Sequence, residues 1–197
     1  MVTGHGARAL SMGKVILEMH RLLPHPATPA NGITGVSVEV TQSDRDGDFH
    51  IKYIVFGADY LALPEGELPR RCDRLWDATC FELFVRPAGL EAYFEFNFSP
   101  STQWAAYQFD RYREGMRDLA LARDPRINRG FGNAGYVIEV GVDLAPFPGT
   151  TLRLALAAVI EETDGTKSYW ALAHPPGKPD FHHKDCFALE LGPPAKS

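Results

Sequence analysis

From Tyr93 to Phe98 the chain carries a phenylalanine at every second position, with Phe94, Phe96 and Phe98 alternating with Tyr93, Glu95 and Asn97. A period of two is the spacing of an extended strand, whose side chains point to opposite faces in turn. The three phenylalanines therefore define a core face. The opposite face holds an aromatic, an acid and an amide, the composition of either a solvated sheet surface or a binding surface.

The same alternation recurs along the chain. Phe81, Leu83 and Val85 oppose Cys80, Glu82 and Phe84; Tyr136, Ile138, Val140 and Val142 oppose Val137 and Glu139; Leu152, Leu154, Leu156 and Ala158 oppose Thr151, Arg153, Ala155 and Ala157. Nine segments read as strands: 32–40, 48–56, 79–86, 91–98, 103–109, 135–142, 150–160, 167–173 and 181–191. Between them stand turn clusters such as Asp44-Arg45-Asp46-Gly47, Pro87-Ala88-Gly89 and Ser99-Pro100-Ser101. Eighteen glycines and fifteen prolines suit many short strands and tight turns better than long helices. The one helix expected is short, around Arg111 to Leu119, and the proline-rich stretch 24–31 reads as a loop. The fold class is therefore all-β: an antiparallel β-sandwich with jelly-roll or immunoglobulin-like layers, about ten strands and one short helix. Residues 14–192 are expected to form a single domain behind a flexible extension, 1–13, with Met12 an alternative start to Met1.

Charge and hydropathy remove whole classes of partner. The net charge of −5 comes with no lysine- and arginine-rich run, so no surface is built to neutralise the phosphates of a nucleic acid. The most apolar stretch, Leu152 to Ile160, includes Arg153 and falls far short of the ~20 residues that span a bilayer. The N-terminus has no clean cleavage site, and the expected location is cytoplasmic. Cys72, Cys80 and Cys186 are odd in number and lack Cys-x-x-Cys spacing, which reads as buried free thiols rather than a disulfide framework or a zinc site.

Aromatic residues concentrate between positions 93 and 112, where Trp104, Tyr107, Phe109 and Tyr112 follow the phenylalanine strand. Some of these belong to the core, and the remainder would offer a platform for a planar or pyranose face. Two segments stand out: Leu75 to Val85 (LWDATCFELFV) with Tyr93 to Met116, and Ser168 to Leu191 (SYWALAHPPGKPDFHHKDCFALEL). The Trp-x(5)-Glu step of Trp76 and Glu82, the following Tyr-x-Glu-x-Asn strand and the late Trp170 resemble the DOMON-like superfamily, and in particular are similar to family-nine carbohydrate-binding modules and their uncharacterised bacterial relatives. The likeness runs from about Val36 to Leu191.

That resemblance implies a β-sandwich of about ten strands that binds sugars or haem through one face or end. In the sugar-binding relatives two tryptophans sandwich a sugar while carboxylate, amide and arginine groups hold its hydroxyls. Carried over, Trp76 and Trp170 are the stacking candidates, and Glu82, Glu95 and Asn97 the polar contacts. Arg153 is added from the face it occupies. The function expected is non-catalytic recognition of a carbohydrate or sugar-containing metabolite.

Other readings are carried beside it. A haem-binding domain would draw on Met116, His174, His182 and His183. A divalent metal has donors in Asp180, His182, His183 and Asp185, with His174 reaching in from another arm, although adjacent histidines on an extended segment face apart. Otherwise His174, Asp180, His182 and His183 form the rim of the groove. Glu82 and Glu95 on neighbouring strands have the types needed for the acid and base of a glycosidase, while a buried Glu82–Arg153 ion pair would be purely structural. No Gly-x-Ser-x-Gly elbow, phosphate loop or dinucleotide fingerprint is present. A protein-interaction module would instead show a flat apolar patch where a sugar site shows a cleft. The sequence leaves the oligomeric state open.

Overall fold

A computed structural model describes residues 16–42, 48–144, 147 and 150–192. Twelve strands make up the described chain: β1 (Ile16–Pro24), β2 (Gly35–Gln42), β3 (Asp48–Phe56), β4 (Cys80–Pro87), β5 (Tyr93–Phe98), β6 (Trp104–Phe109), β7 (Arg117–Asp118), β8 (Arg126–Gly132), β9 (Gly135–Asp143), β10 (Leu152–Glu161), β11 (Lys167–Ala171) and β12 (Leu189–Leu191). All pair antiparallel along one curled path, β7-β6-β5-β4-β10-β11-β1-β2-β3-β9-β8, with β12 lying on β10. The N-terminal extension expected at 1–13 lies outside the described residues.

Strand β1 serves both layers. Its residues 16–22 pair with β2, while Leu23 and Pro24 pair with Ala171 and Trp170 of β11. One layer is thus β8-β9-β3-β2-β1, and the other is β1-β11-β10-β4-β5-β6-β7. The inward positions of the alternating strands meet between them: Val36, Val38, Phe49, Ile51, Ile138 and Val140 from the first, Phe81, Leu83, Phe96, Phe98, Leu154 and Leu156 from the second. Each is essentially without solvent contact, and each such side chain contributes ~1.5–3 kcal/mol by leaving water. Tyr53 also ties the layers together, donating its hydroxyl to the Glu82 carbonyl oxygen at 2.8 Å.

Two expected elements are corrected. No helix forms over Arg111 to Leu119. Arg113 (φ 56°) and Gly115 (φ 70°) sit in the left-handed region, Arg111 bridges Glu114, and the chain turns directly into β7. A right-handed helix cannot contain such residues. Of the strand expected over 181–191 only Leu189–Leu191 is extended. The preceding residues turn instead: Asp180 Oδ1 accepts the His182 backbone N–H at 3.2 Å, and a turn of 3-10 helix follows at Lys184–Cys186. Phe181, Cys186 and Phe187 are thereby folded down onto the sheet. Among the cysteines, Cys80 and Cys186 are buried and Cys72 is half-buried, all as free thiols.

Candidate functional site

The outer face of the β6-β5-β4-β10-β11 sheet is not a solvated surface. It carries a second apolar cluster in which Phe84, Tyr93, Phe109, Val159, Phe181 and Phe187 are buried. Two loops roof it, residues 72–79 with a 3-10 turn at Leu75–Asp77, and residues 173–188. Between these roofs lies a cleft of about 360 Å³ lined by Trp76, Glu82, Glu95, Phe109, Arg113, Met116, Val159, Tyr169, Pro179, Asp180, Phe181 and His182.

Alternation delivers the polar groups to this face. Strand β4 turns Cys80, Glu82 and Phe84 outward, and β5 turns Tyr93, Glu95 and Asn97 outward. Register sets Glu82 opposite Asn97 and Phe84 opposite Glu95. On the flanking strands Ala157 lies opposite Glu82, Ala155 opposite Phe84 and Ala105 opposite Asn97. Small neighbours thus flank Glu82 and Asn97 on this face, while Tyr107 stands opposite Glu95.

The acids differ in their surroundings. Asn97 Nδ2 donates to Glu95 Oε1 at 2.7 Å, and Glu95 Oε2 lies 3.7 Å from His182 Nε2. No hydrogen bond or ion pair reaches the Glu82 carboxyl group from the described residues, although Glu82 is only 4% exposed. Burial pushes Glu95 up to about 7, partly offset by the Asn97 hydrogen bond and the Arg113 charge. Burial, reinforced by the Glu95 charge and opposed by Arg113, holds Glu82 well above the ordinary carboxylate range. His182 is pushed down to about 4 by burial and by the Arg113 charge, so it is neutral at neutral pH and its contact with Glu95 is not an ion pair.

A small network fixes the cleft wall. The Tyr93 hydroxyl oxygen accepts the Arg113 backbone N–H at 3.1 Å and contacts His182 Nδ1 at 2.8 Å. Tyr93 and His182 Nδ1 are thus hydrogen-bonded partners in the cleft wall, and Nε2 is the imidazole nitrogen that faces Glu95. Arg113 Nη2 donates to Asp180 Oδ1 at 2.7 Å, and the Tyr112 hydroxyl donates to Asp180 Oδ2. On the opposite side Trp76 is half-buried with its ring edge-on to Tyr107, centroids 6.1 Å apart, while the Tyr107 hydroxyl donates to Asp73 Oδ1 at 2.7 Å. Beyond His182 a second hollow of about 260 Å³ is lined by Arg86, Tyr112, His183 and Phe187 among others.

The structure brings Trp76, Glu82, Glu95, Asp180 and His182 to one cleft, with Asn97 behind Glu95 as its hydrogen-bond donor. Trp170 is corrected. It lies on the inner face of β11, 3% exposed, within the core between the layers, its indole N–H donating to Ser168 Oγ at 2.9 Å. Strand parity sends the preceding residue, Tyr169, to the cleft instead. Arg153 shares the outer face of β10 but lies outside the cleft, half exposed, with its Nε 3.8 Å from Glu190 and its register partner Arg86 beside it. It makes no ion pair with Glu82.

The histidines disperse. His174 Nε2 contacts the Leu23 carbonyl oxygen at 2.8 Å and its ring meets His25 edge-on at 4.9 Å, while His183 accepts the Asp185 backbone N–H at 3.3 Å. Among the described residues no three His, Cys, Asp or Glu side chains gather as a metal site would require. Nor do the donors fit haem. Met116 and His182 both line the cleft, but one His182 nitrogen is engaged by Tyr93 and the other faces Glu95. Arg113, Val159, Tyr169, Pro179 and Phe181 are the lining residues that sequence reasoning did not single out.

No protein-family model matches the chain, and no curated protein matches it in sequence. Solved structures do match in shape. A candidate carbohydrate-binding protein from Bacteroides uniformis ATCC 8492 superposes with a TM-score of 0.63 at 14% identity, covering 86% of this chain and 84% of that one. A family 9 carbohydrate-binding module from Caldicellulosiruptor kristjanssonii in complex with cellotriose gives 0.55 at 12% identity, over 97% of this chain and 92% of that one. The chain has the fold of these carbohydrate-binding proteins. A family 9 module from the same organism in complex with glucose gives 0.52 at 13% identity, over 98% and 94%.

Proposed function

We propose that the chain is a non-catalytic sugar-binding domain and that the cleft over β4 and β5 is its site. The observation that carries this reading is the pairing of a half-buried tryptophan, Trp76, with an unpartnered buried acid, Glu82, in one cleft. A pyranose has a C–H face suited to an aromatic ring and hydroxyls that both donate to and accept from carboxyl groups. Glu82 and Glu95 would take those hydroxyls, with Asn97 orienting Glu95 and His182 Nε2 a further polar contact. An ordinary hydrogen bond is worth ~0.5–1.5 kcal/mol net, so several together would set specificity. The shared fold with modules crystallised with glucose and cellotriose supports the same reading.

The two acids favour binding over hydrolysis. A glycosidase separates its carboxyl groups into a protonated acid and an ionised partner. Here burial raises both, Glu95 to about 7. The carboxylate held low in this cleft, Asp180, is engaged by Arg113 and Tyr112, so neither of the paired acids is set apart as the ionised partner.

The test is intrinsic fluorescence titrated with mono- and disaccharides. Trp104 and Trp170 are buried whereas Trp76 is not, so a ligand in the cleft acts on the Trp76 emission. A saturable response that disappears in a folded Trp76→Ala variant is expected. A response unchanged in that variant, or none to any sugar, would overturn the proposal.

A further inference from the structure

Acidic groups in the cleft outnumber its cations. Three acids line it, Glu82, Glu95 and Asp180, against two groups able to carry positive charge, Arg113 and His182. Arg113 is committed to Asp180 at 2.7 Å. His182 Nδ1 is hydrogen-bonded to the Tyr93 hydroxyl and the imidazole is neutral. The Arg113 charge still reaches Glu82 and Glu95 across the cleft, but among the described residues neither carboxyl group has a charged partner at ion-pair distance.

A buried carboxyl group needs either a proton or a cation. Glu82 shows the need most clearly. It is 4% exposed and faces the cleft, and its cross-strand neighbours are Ala157, which has no side-chain donor, and Asn97, whose amide donates to Glu95 and makes no hydrogen bond to Glu82. A neutral sugar supplies hydroxyl hydrogen bonds and leaves the acids in their protonated, uncharged form. An ammonium group supplies a positive charge and three donors at once. Glu82 and Glu95 sit diagonally on adjacent strands, a spacing of roughly 7 Å between side-chain origins that lets both carboxylates reach one nitrogen.

We infer that the sugar taken by this cleft is an amino sugar, its protonated amine held by Glu82 and Glu95 and its ring lying on the aromatic wall formed by Trp76 and Tyr169. The inference rests on the sugar-binding reading above and names the ligand class within it. Binding converts a protonated carboxyl group and a free ammonium ion into a carboxylate–ammonium pair and releases one proton to solvent, with no bond in the sugar broken.

Titration calorimetry on the intact chain tests this with four probes, glucosamine, glucose, N-acetylglucosamine and cyclohexylamine, each in two buffers of different ionisation enthalpy near pH 6. Glucosamine is expected to bind at least about tenfold more tightly than glucose and N-acetylglucosamine, a difference of ~1.4 kcal/mol, with a buffer-dependent heat that reports proton release. In Glu82→Gln the ratio of glucosamine to glucose affinity falls towards one. Should that variant lose its fold by circular dichroism, Glu95→Gln carries the same comparison. Equal affinities for the three sugars, or binding of glucosamine without proton release, would overturn the inference while leaving the sugar-binding reading intact. Cyclohexylamine binding as well as glucosamine would uphold the ammonium contact and overturn the sugar-binding reading. Binding by none of the four would overturn both.

Discussion

The Tyr93 hydroxyl lies 2.8 Å from His182 Nδ1 and joins a central strand to the loop that roofs the cleft. It also accepts the Arg113 N–H, so one phenol oxygen holds two separate loop segments over the acids. In Tyr93→Phe both segments lose that anchor, leaving a backbone donor and an imidazole nitrogen without their partner. A stability loss of ~1–3 kcal/mol is expected in urea unfolding, together with weaker sugar binding. An affinity equal to that of the unaltered chain would show that the roof does not shape the site.

Glu95 makes stability depend on pH with a definite sign. Its pKa is about 7 in the folded chain, above the value near 4.5 of an unburied glutamate. The folded state therefore retains a proton that the unfolded state gives up, and stability falls as pH rises from about 4.5 to about 7. Glu95→Gln removes that slope, so its melting temperature should gain on the parent as pH is raised, by an amount corresponding to roughly 3 kcal/mol at most. A constant difference across that range would contradict it.

His182 acts in the opposite direction. Its pKa of about 4 lies below the usual 6.5, so the unfolded state takes up a proton first and stability is lost as pH falls from about 6.5 to about 4. His182→Gln should gain on the parent as the solution is acidified. Melting curves of the two single variants are thus expected to diverge from the parent at opposite ends of the range.

Trp76 and Trp170 separate binding from stability. Trp170 fills the core between the layers, and Trp170→Ala should cost ~3–5 kcal/mol by leaving a cavity. Trp76→Ala opens only the edge of the cleft, so its melting temperature should fall far less while sugar binding is lost. Equal losses of stability in the two variants would place Trp76 in the framework rather than in the site.

Asp180 organises the cleft rim, since one carboxylate receives Arg113, Tyr112 and the His182 backbone N–H. Asp180→Ala should lower sugar affinity by about tenfold or more, as three groups lose a charged acceptor, with a smaller effect on melting because the rim is partly open to solvent. Unaltered affinity in the fluorescence titration would remove Asp180 from the site.

Strict alternation made much of this legible. Phe94, Phe96 and Phe98 against Tyr93, Glu95 and Asn97 assigned both faces of β5, and Glu82 and Phe84 did the same for β4. Strand β3 is extended over the whole segment expected, 48–56. Alternation failed where a segment offers no contrast between its faces. In Lys167–Ala171, Ser168 and Trp170 alternate with Lys167 and Tyr169, and neither set is plainly the core set. Strand β8, Arg126–Gly132, lies at the sheet edge with mostly exposed side chains and carries no period at all. Strand β1 mixes Glu18, His20 and Arg21 with its apolar residues because it passes between two layers with different neighbours. Arg113 escaped notice because it belongs to a turn defined by left-handed backbone angles, and no residue-type pattern in 111–116 distinguishes that turn from a helix start.

The alanines beside the acids give those side chains their room. Ala105, Ala155 and Ala157 have almost no exposed surface, and each stands in register with Asn97, Phe84 or Glu82. Because the backbone there is pinned on both sides by the sheet, exchanging the Ala157 methyl for a larger group would crowd the Glu82 side chain next to it without moving the strands. The orientation of that carboxyl group is in this sense set from the side, by the smallest residue of the neighbouring strand.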